Sequence, residues 1–305
     1  MGNPLTSSKF QRLLDNRLTE VSVNSFDALP SKIESLYRVF PSDKAFDEFY
    51  DVGSVPNIPE FNGKLSYATI NPGFHKKIEP KEFAGGLEFE RKLLDDERYG
   101  VFDNRAEMLA IAAKRTREDY GVRQFANAFS TAFDFMTSEE GISLCGSHLT
   151  KSGVSTTTGF SNSGTSALSE TSIASTWLLM RKFKNDIGER MLINPDTLIV
   201  PEALMFKAQE IVGTEKGLYS GEGTKNVQQG RWKIISYPQL DDYDANNWYM
   251  TDSKLMKKYL IWIDRIKYEV NNTIDFESFM VKHSVYFRIG AGWTNWPWVY
   301  GHQVS

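Results

Sequence analysis

The sequence is poor in the residues on which most chemistry and most covalent staples depend. Among 305 residues there is one cysteine, Cys145, so no disulfide can form within the chain and a reducing compartment is the expected setting. No apolar run approaches the roughly 18 residues of a membrane-spanning helix. Residues 1–25 lack a basic stretch followed by an apolar one, so neither a membrane partner nor a secretory leader is expected. The Asn271-Asn272-Thr273 sequon then has no glycosylating compartment to meet. Basic residues do not prevail either. Lys and Arg number 35 against 39 Asp and Glu, a net charge of −4. A protein that grips nucleic acid carries the opposite balance or a basic stripe. Next to DNA, such a chain encloses rather than binds, because an acidic lining keeps the polymer from sticking.

Catalytic patterns are equally thin. The four histidines are His75, His148, His283 and His302, and only Cys145 and His148 lie close in sequence. A zinc site needs further ligands, and no second cysteine exists. A Cys–His nucleophile pair stays open, since such partners can be distant in sequence. No Gly-x-Ser-x-Gly elbow is present. Gly159-Phe160-Ser161-Asn162-Ser163-Gly164-Thr165-Ser166 has the glycine spacing of a phosphate loop, but Thr165 stands where the lysine belongs, so a plain loop is expected. Asp242, Asp244 and Asn246 mimic the start of a calcium loop, yet Asn247 and Ser253 replace its glycine and glutamate, leaving a solvated acidic turn. The acid pairs Asp95-Asp96-Glu97 and Glu139-Glu140 read as charged faces. No catalytic, cofactor-binding or metal-ligating residue is assigned, and no cofactor is expected.

What the chain has is framework. Hydrophobic residues make up 41% and charged residues 24%, a globular balance, and a chain this long buries about three quarters of its unfolded surface. Phe10, Leu13, Leu14 and Leu18 predict a short helix, and Ile33, Leu36, Tyr37 and Phe40 a second one ended by Pro41. Residues 1–50 read as an arm with little core of its own. Four prolines between 56 and 80 exclude helix, and strand-like pieces at 64–70 and 87–93 suggest a two-stranded excursion that needs a partner surface. Residues 99–136 carry the strongest helical pattern, through Met108, Ile111, Ala112, Arg115, Asp119 and Val122 and past Gly121 to Phe129 and Phe133, with Asp103 or Asn104 as cap. A Ser/Thr/Gly-rich loop covers 137–168. Ser169 caps a helix through Ile173, Trp177, Met180, Phe183 and Ile187 that Gly188 ends. Asp196–Val200 is a buried strand, Pro201 opens a helix to Ile211 with Gly213 as stop, and Trp232–Tyr237 is a strand. Long strands at 259–270 and 281–289 flank a turn near Asn271-Asn272. The aromatic end, Trp293, Trp296, Trp298 and Tyr300, fills a core or an interface.

Three stretches resemble a known family. They are Lys81-Glu82-Phe83 through Leu87-Glu88-Phe89-Glu90-Arg91 to Tyr99-Gly100-Val101-Phe102; Ser161-Asn162 through Ala167-Leu168-Ser169 to Pro195-Asp196-Thr197-Leu198-Ile199-Val200-Pro201; and Tyr286-Phe287-Arg288, Gly290-Ala291-Gly292, Trp296 and Tyr300-Gly301. Together they cover about residues 80–305. They look like the major capsid proteins of tailed bacteriophages, nearest the Mu-like major head subunit family.

The resemblance implies an α+β chain with the tailed-phage major capsid protein fold: N-terminal arm (1–50), extended two-stranded loop over a neighbour (51–98), peripheral domain with a long spine helix (99–194), axial domain (195–258) and C-terminal strands that complete the peripheral domain (259–305). It implies a structural, non-enzymatic protein. Copies self-assemble into pentamers and hexamers of an icosahedral head that encloses double-stranded DNA without sequence-specific binding, built in the host cytoplasm and located in the virion. A separate scaffolding protein, a portal protein and an optional decoration protein are the implied partners, the scaffold being separate because no long charged helical segment opens the chain. Relatives that crosslink do so through lysine and asparagine; Lys76 and Lys77 fall in the extended loop and are expected to be solvated. Three other readings stand beside this one. An encapsulin-like compartment shell shares the fold and encloses a cargo enzyme. A soluble hydrolase would show a deep pocket with shifted titratable groups. A tail or baseplate protein would form rings or tubes.

Overall fold

The computed structural model describes residues 7–65, 67–90, 99–213, 226–275, 277–278 and 280–304, with residues 7–16 and 99–101 described by their backbone. The chain opens with helix α1 (Ser7–Ala28), longer than the predicted one. Helix α2 covers only Ile33–Leu36, and the chain then extends into strand β1 (Arg38–Pro41). The predicted second helix is therefore cut to one turn. Pro41 does not stop a helix but closes an edge strand, where its missing N–H costs no ladder bond. Ile33, Leu36 and Tyr37 are fully buried in the main core. This part of the chain contributes core rather than only an arm.

Strands β2 (Asp47–Val52), β3 (Pro72–Ile78) and β5 (Thr137–Ser138) form an antiparallel three-stranded sheet in the order β2-β3-β5. The strand expected at 64–70 is absent among the described residues, and the strands lie on either side of that stretch. Strand β4 (Lys81–Glu90) follows, with Leu87 and Phe89 turned inward and Glu88 and Glu90 outward as the alternation predicted. Residues 91–93 of the expected strand lie outside the described residues. The partner of β4 is not a neighbouring arm of a ribbon but the long strand β11 (Met280–Trp293). With β10 (Leu260–Ile274) they form a four-stranded sheet ordered β1-β10-β11-β4. The turn expected at Asn271-Asn272 lies further on, at Asp275–Met280; both asparagines are ladder residues facing Ser284 and His283.

Helix α3 (Tyr99–Ala126) is the 28-residue spine, about 42 Å long, and it lies across this sheet. Its start precedes Asp103, so neither Asp103 nor Asn104 caps it; Asp103 instead pairs with Arg17 of α1 at 2.6 Å. The buried face runs through Phe102, Ala106, Ala110, Ala113 and Tyr120, while Met108 and Ile111 are exposed. Small alanines let α1 and the sheet approach the helix closely, which large residues would prevent. The helix ends at Ala126 rather than near Phe133: the Asn127 N–H still closes on the Arg123 carbonyl, with its side-chain amide beside it, but the Ala128 N–H turns to the Phe125 carbonyl instead of continuing the helix.

The second core begins in the loop. Strand β6 (Ser163–Gly164), helix α4 (Glu170–Met180), strand β7 (Thr197–Val200), a 3-10 turn at Glu202–Leu204, helix α5 (Met205–Gly213) and strand β8 (Lys233–Ser236) come in that order. Ser169 caps α4 in a reciprocal box with Ser172, as predicted. The helix stops at Met180, short of Phe183 and Ile187. The Asn185 side chain takes the N–H groups of Ile187 and Glu189, and the turn so formed carries Gly188. Strands β7 and β8 are parallel with α5 as the crossover. After a 3-10 turn at Pro238–Leu240 come β9 (Trp248–Thr251), helix α6 (Ser253–Tyr259), β10, β11 and β12 (Val299–His302). The last strand joins the second sheet, ordered β6-β12-β9-β7-β8, and not the sheet of β10 and β11.

Two large cores result. One contains Tyr37, Phe125, Tyr237, Trp262 and Trp293 under the spine helix; the other contains Phe160, Phe183, Leu198, Trp248 and Trp296. Trp293, Trp296, Trp298 and Tyr300 are all buried, so the aromatic end is core. Gly292 marks where β3 crosses β11. A Cβ there would stand 2.7 Å from the Ile78 side chain, so any larger residue would have to displace Ile78 from the core.

Candidate functional site

Two features stand out, one on the surface and one buried. The first is residues 53–71, which join β2 to β3. Their apolar side chains point outward: Val55, Ile58, Phe61, Leu65, Tyr67 and Ile70 are exposed, Ile58 to 93% and Tyr67 to 90%. The base of the segment is fastened. Gly53 N–H donates to the Asn71 carbonyl at 2.9 Å, Ser54 N–H to Asp186 at 2.8 Å and Asn57 N–H to Glu189 at 3.0 Å. Isolated exposed apolar residues are ordinary; here six lie along one short segment.

The second feature lies beneath it. Lys76 of β3 is 2% exposed, its Nζ 3.1 Å from the centre of the Trp293 ring and 3.7 Å from Glu140. Its expected solvation is thus overturned, because the inward face of β3 carries the side chain onto the core. Burial outweighs the attraction of Glu140 and Asp51 and lowers the ammonium to about 7. Lys77, one residue on, points the other way and is partly exposed over Phe46. Glu140 accepts hydrogen bonds from His148 Nδ1 at 2.9 Å and from Leu149 N–H at 3.1 Å. Burial pushes its carboxyl up, but the bond and charge of His148, with Lys76 and the Leu149 N–H, outweigh it and hold the carboxyl below its usual range. His148 stacks on Trp296 at 4.5 Å, and burial lowers its affinity for a proton. A cavity of about 120 Å³ adjoins the cluster, lined by Asp51, Lys76, Glu140 and Asn295 among others. Glu140 read in sequence as half of a charged face; no period in the sequence marks a carboxylate just past a two-residue strand as buried.

The remaining candidates serve the fold. Cys145 is buried beside Gly301, and burial raises its thiol far above the ordinary value. Both nitrogens of His148 face Glu140 and the Leu144 carbonyl, so the Cys–His pair does not form. Asn162 of the glycine-spaced loop is fully buried, bonded to Gly146 N–H and to the carbonyls of Leu144 and Val299, and so staples the loop. Asp244 accepts from Asn246 N–H within an acidic turn, and Asp241 accepts from Ala203 N–H of the 3-10 turn at Glu202–Leu204. His283 sits between Ser22 and Asn272, and His302 between Thr176 and Ser166 N–H, stacked on Trp248. His75 pairs at the surface with Glu139. Asp95-Asp96-Glu97 lies outside the described residues. Among the described residues no three His, Cys, Asp or Glu are grouped to hold a metal ion, and no helix is long and apolar enough to cross a membrane.

Two sheets with separate cores, a spine helix and an exposed apolar segment can be compared with known proteins. The structure is similar to one from Microbacterium phage Oxtober96, with a TM-score of 0.56 at 9% identity over 91% of this chain and 92% of that one. It is similar to the capsid of bacteriophage JBD30, with a TM-score of 0.56 at 14% identity over 70% of this chain and 92% of that one. A virus-like particle from Pyrococcus furiosus matches with a TM-score of 0.52 at 11% identity over 94% and 98%. At these identities the likeness is one of fold, and the fold is that of phage capsid subunits. No curated protein matches by sequence. The profile of the phage capsid protein family spans residues 76–300, and that of the Mu-like prophage major head subunit gpT spans residues 13–136. The chain belongs to the phage capsid protein family, as a structural component of a bacteriophage head.

Proposed function

We propose that this subunit self-assembles into pentamers and hexamers of a closed icosahedral shell around double-stranded DNA, and that it carries out no catalysis. The observation that supports the reading best is the exposed apolar segment 53–71 on a body whose own cores are complete. Its six outward side chains gain by burial on another copy, at about 25 cal/mol per Å² of apolar surface removed from water. Repeated heterologous contacts of this kind close into rings.

In this reading the peripheral domain is the β1-β10-β11-β4 sheet with the spine helix α3. The axial domain, expected over 195–258, is the second core and takes in Phe160–Ile193 and Trp296–Tyr300 as well. The extended loop narrows from 51–98 to the segment between β2 and β3, and the arm to the residues before Ile33. A scaffolding protein, a portal protein and an optional decoration protein complete the assembly, which forms in the host cytoplasm. The net charge of −4 suits a wall that encloses DNA without gripping it.

The test is electron microscopy of the chain expressed with its neighbouring head genes. Closed shells with five- and six-fold capsomers are expected, and DNA inside them distinguishes a phage head from a compartment around a protein cargo. The triple variant Ile58→Ser/Phe61→Ser/Tyr67→Ser should abolish shells while changing subunit stability by no more than about 0.5 kcal/mol per substitution. Monomers alone from the unmodified chain, with all neighbours present, overturn the reading.

A further inference from the structure

Glu140 is one buried carboxylate with two bases upon it. His148 Nδ1 lies 2.9 Å from one oxygen and Lys76 Nζ 3.7 Å from the other, and none of the three side chains is more than 3% exposed. They come from three pieces of chain: Lys76 from β3, Glu140 from just past β5, His148 from the loop before β6. They also join the two cores, Lys76 lying on Trp293 of the first and His148 on Trp296 of the second.

The two bases are held unequally. At 3.7 Å the ammonium is beyond hydrogen-bond reach of Glu140, and it has no hydrogen-bond partner among the described residues. His148 faces an acceptor at each nitrogen, Glu140 and the Leu144 carbonyl at 3.3 Å. A neutral imidazole has one N–H for these two acceptors. A second proton completes both bonds, but it sets a second cation beside Lys76 with a single carboxylate between them. A buried cation that loses its partner is costly, and Lys76 also lines the cavity of about 120 Å³.

We propose that Lys76, Glu140 and His148 form an acid-operated latch: protonated His148 takes Glu140 from Lys76, and the β2–β3 hairpin with its 53–71 segment is released from the body. Its bearing on assembly rests on the reading of 53–71 as an assembly segment; the release itself does not.

The sign follows from burial, which makes the closed state resist a proton on His148. Once the hairpin leaves with Lys76, a cation that opposed this proton is gone while Glu140 stays bonded to the ring, so the open state takes the proton more readily and opening is favoured as pH falls. Among the other charged groups, Asp51 of β2 faces Lys76. Its carboxyl is raised by burial and is influenced by Asp186 and by Lys258 of α6. A raised carboxyl takes its proton more readily when closed, so Asp51 subtracts from the response and does not produce it. Glu139 is engaged on the outer side by His75 and Lys151. His75 is thus the second histidine at the hairpin and needs its own control.

The experiment is amide hydrogen exchange on the unassembled full chain from pH 6.5 to 5.0, below the value of about 7 at which Lys76 takes its own proton in the fold, corrected for intrinsic rates. Protection in β2 and β3 should fall about tenfold or more, as expected for one unit of proton linkage, while α3 and β11 keep theirs. His148→Gln, which still offers Glu140 a donor but cannot take a proton, should remove the acid response, and His75→Gln should leave it. A hairpin whose protection does not change with pH overturns the latch, as does a response that persists in His148→Gln or vanishes in His75→Gln. Should His148→Gln fail to fold, the ring is followed by NMR in the unmodified chain: a His148 that gains its proton without loss of hairpin protection also overturns it. Shell yield of the Ile58→Ser/Phe61→Ser/Tyr67→Ser variant fails or holds independently, because exchange is measured before assembly.

Discussion

Replacing Gly121 by alanine sets two known forces against each other inside the spine helix. In an open helix the change is favourable by about 1 kcal/mol, because alanine loses less backbone freedom. Here the new Cβ would stand 2.9 Å from the Tyr237 hydroxyl and 3.4 Å from Ile33 Cγ1. Tyr237 is fully buried and donates to the Glu118 carbonyl at 3.1 Å. Moving it strands a buried hydroxyl, at about 1–3 kcal/mol, and overpacking adds roughly 1–3 kcal/mol. The net expectation for Gly121→Ala is a loss of about 2 kcal/mol, read as a lower urea midpoint at unchanged slope. In a Tyr237→Phe background the clashing oxygen is gone and the helix gain should emerge, so alanine there stabilises by up to about 1 kcal/mol. The coupling between the two sites is then about 2–3 kcal/mol. A stabilising Gly121→Ala in the unmodified chain, or equal effects in both backgrounds, refutes the steric argument.

Lys76 makes stability pH-dependent on the alkaline side. Its ammonium falls from 10.5 to about 7 in the fold, so the unfolded chain binds the extra proton between those values and stability rises with pH across that window, by up to about 1.4 kcal/mol per unit. Urea unfolding at pH 7.5 and 9.5 should show Lys76→Met gaining about 2–3 kcal/mol less than the unmodified chain over that step. Asp264→Ala removes the carboxylate that holds Arg117 at 2.9 Å and accepts from the Trp262 indole, leaving a largely buried guanidinium; a loss of about 3 kcal/mol in the same assay is expected. Cys145 should react with an aromatic disulfide reagent only as fast as the chain unfolds, since the thiol is buried and its proton is held; rapid labelling of the native subunit contradicts this.

Periodicity was a good guide wherever burial is one-sided and the partner is nearby in the chain. The alternation of Leu87 and Phe89, the cap at Ser169 and the buried run Thr197–Val200 were legible because each rests on contacts within a few residues. The pattern misled where a distant element decides. In α3 the exposed face carries Met108 and Ile111 while the buried face is built from alanines, a choice made by the approach of α1 and the sheet. The helix expected through Phe40 became β1 because β10 offers a parallel edge at Ile261–Asp264. The paired acids Glu139 and Glu140 look alike in sequence, yet one is a surface partner of Lys151 and the other lies under Lys76 and His148.

By itself the sequence determined the class of protein and the absence of staples. The three framework stretches carry the resemblance to phage head subunits, and one cysteine and a slightly acidic balance fit it. Only the tertiary structure decided which polar groups are buried, that 53–71 stands outward with its apolar side chains exposed, and that the last strand closes the second sheet instead of the first. The physical reason is the reach of the forces. Propensity, capping and alternation act over a few residues and are written locally. Desolvation of Lys76, the crossing of β3 over Gly292 and the pairing of β12 with β9 depend on residues more than 40 positions apart, which no local pattern can encode.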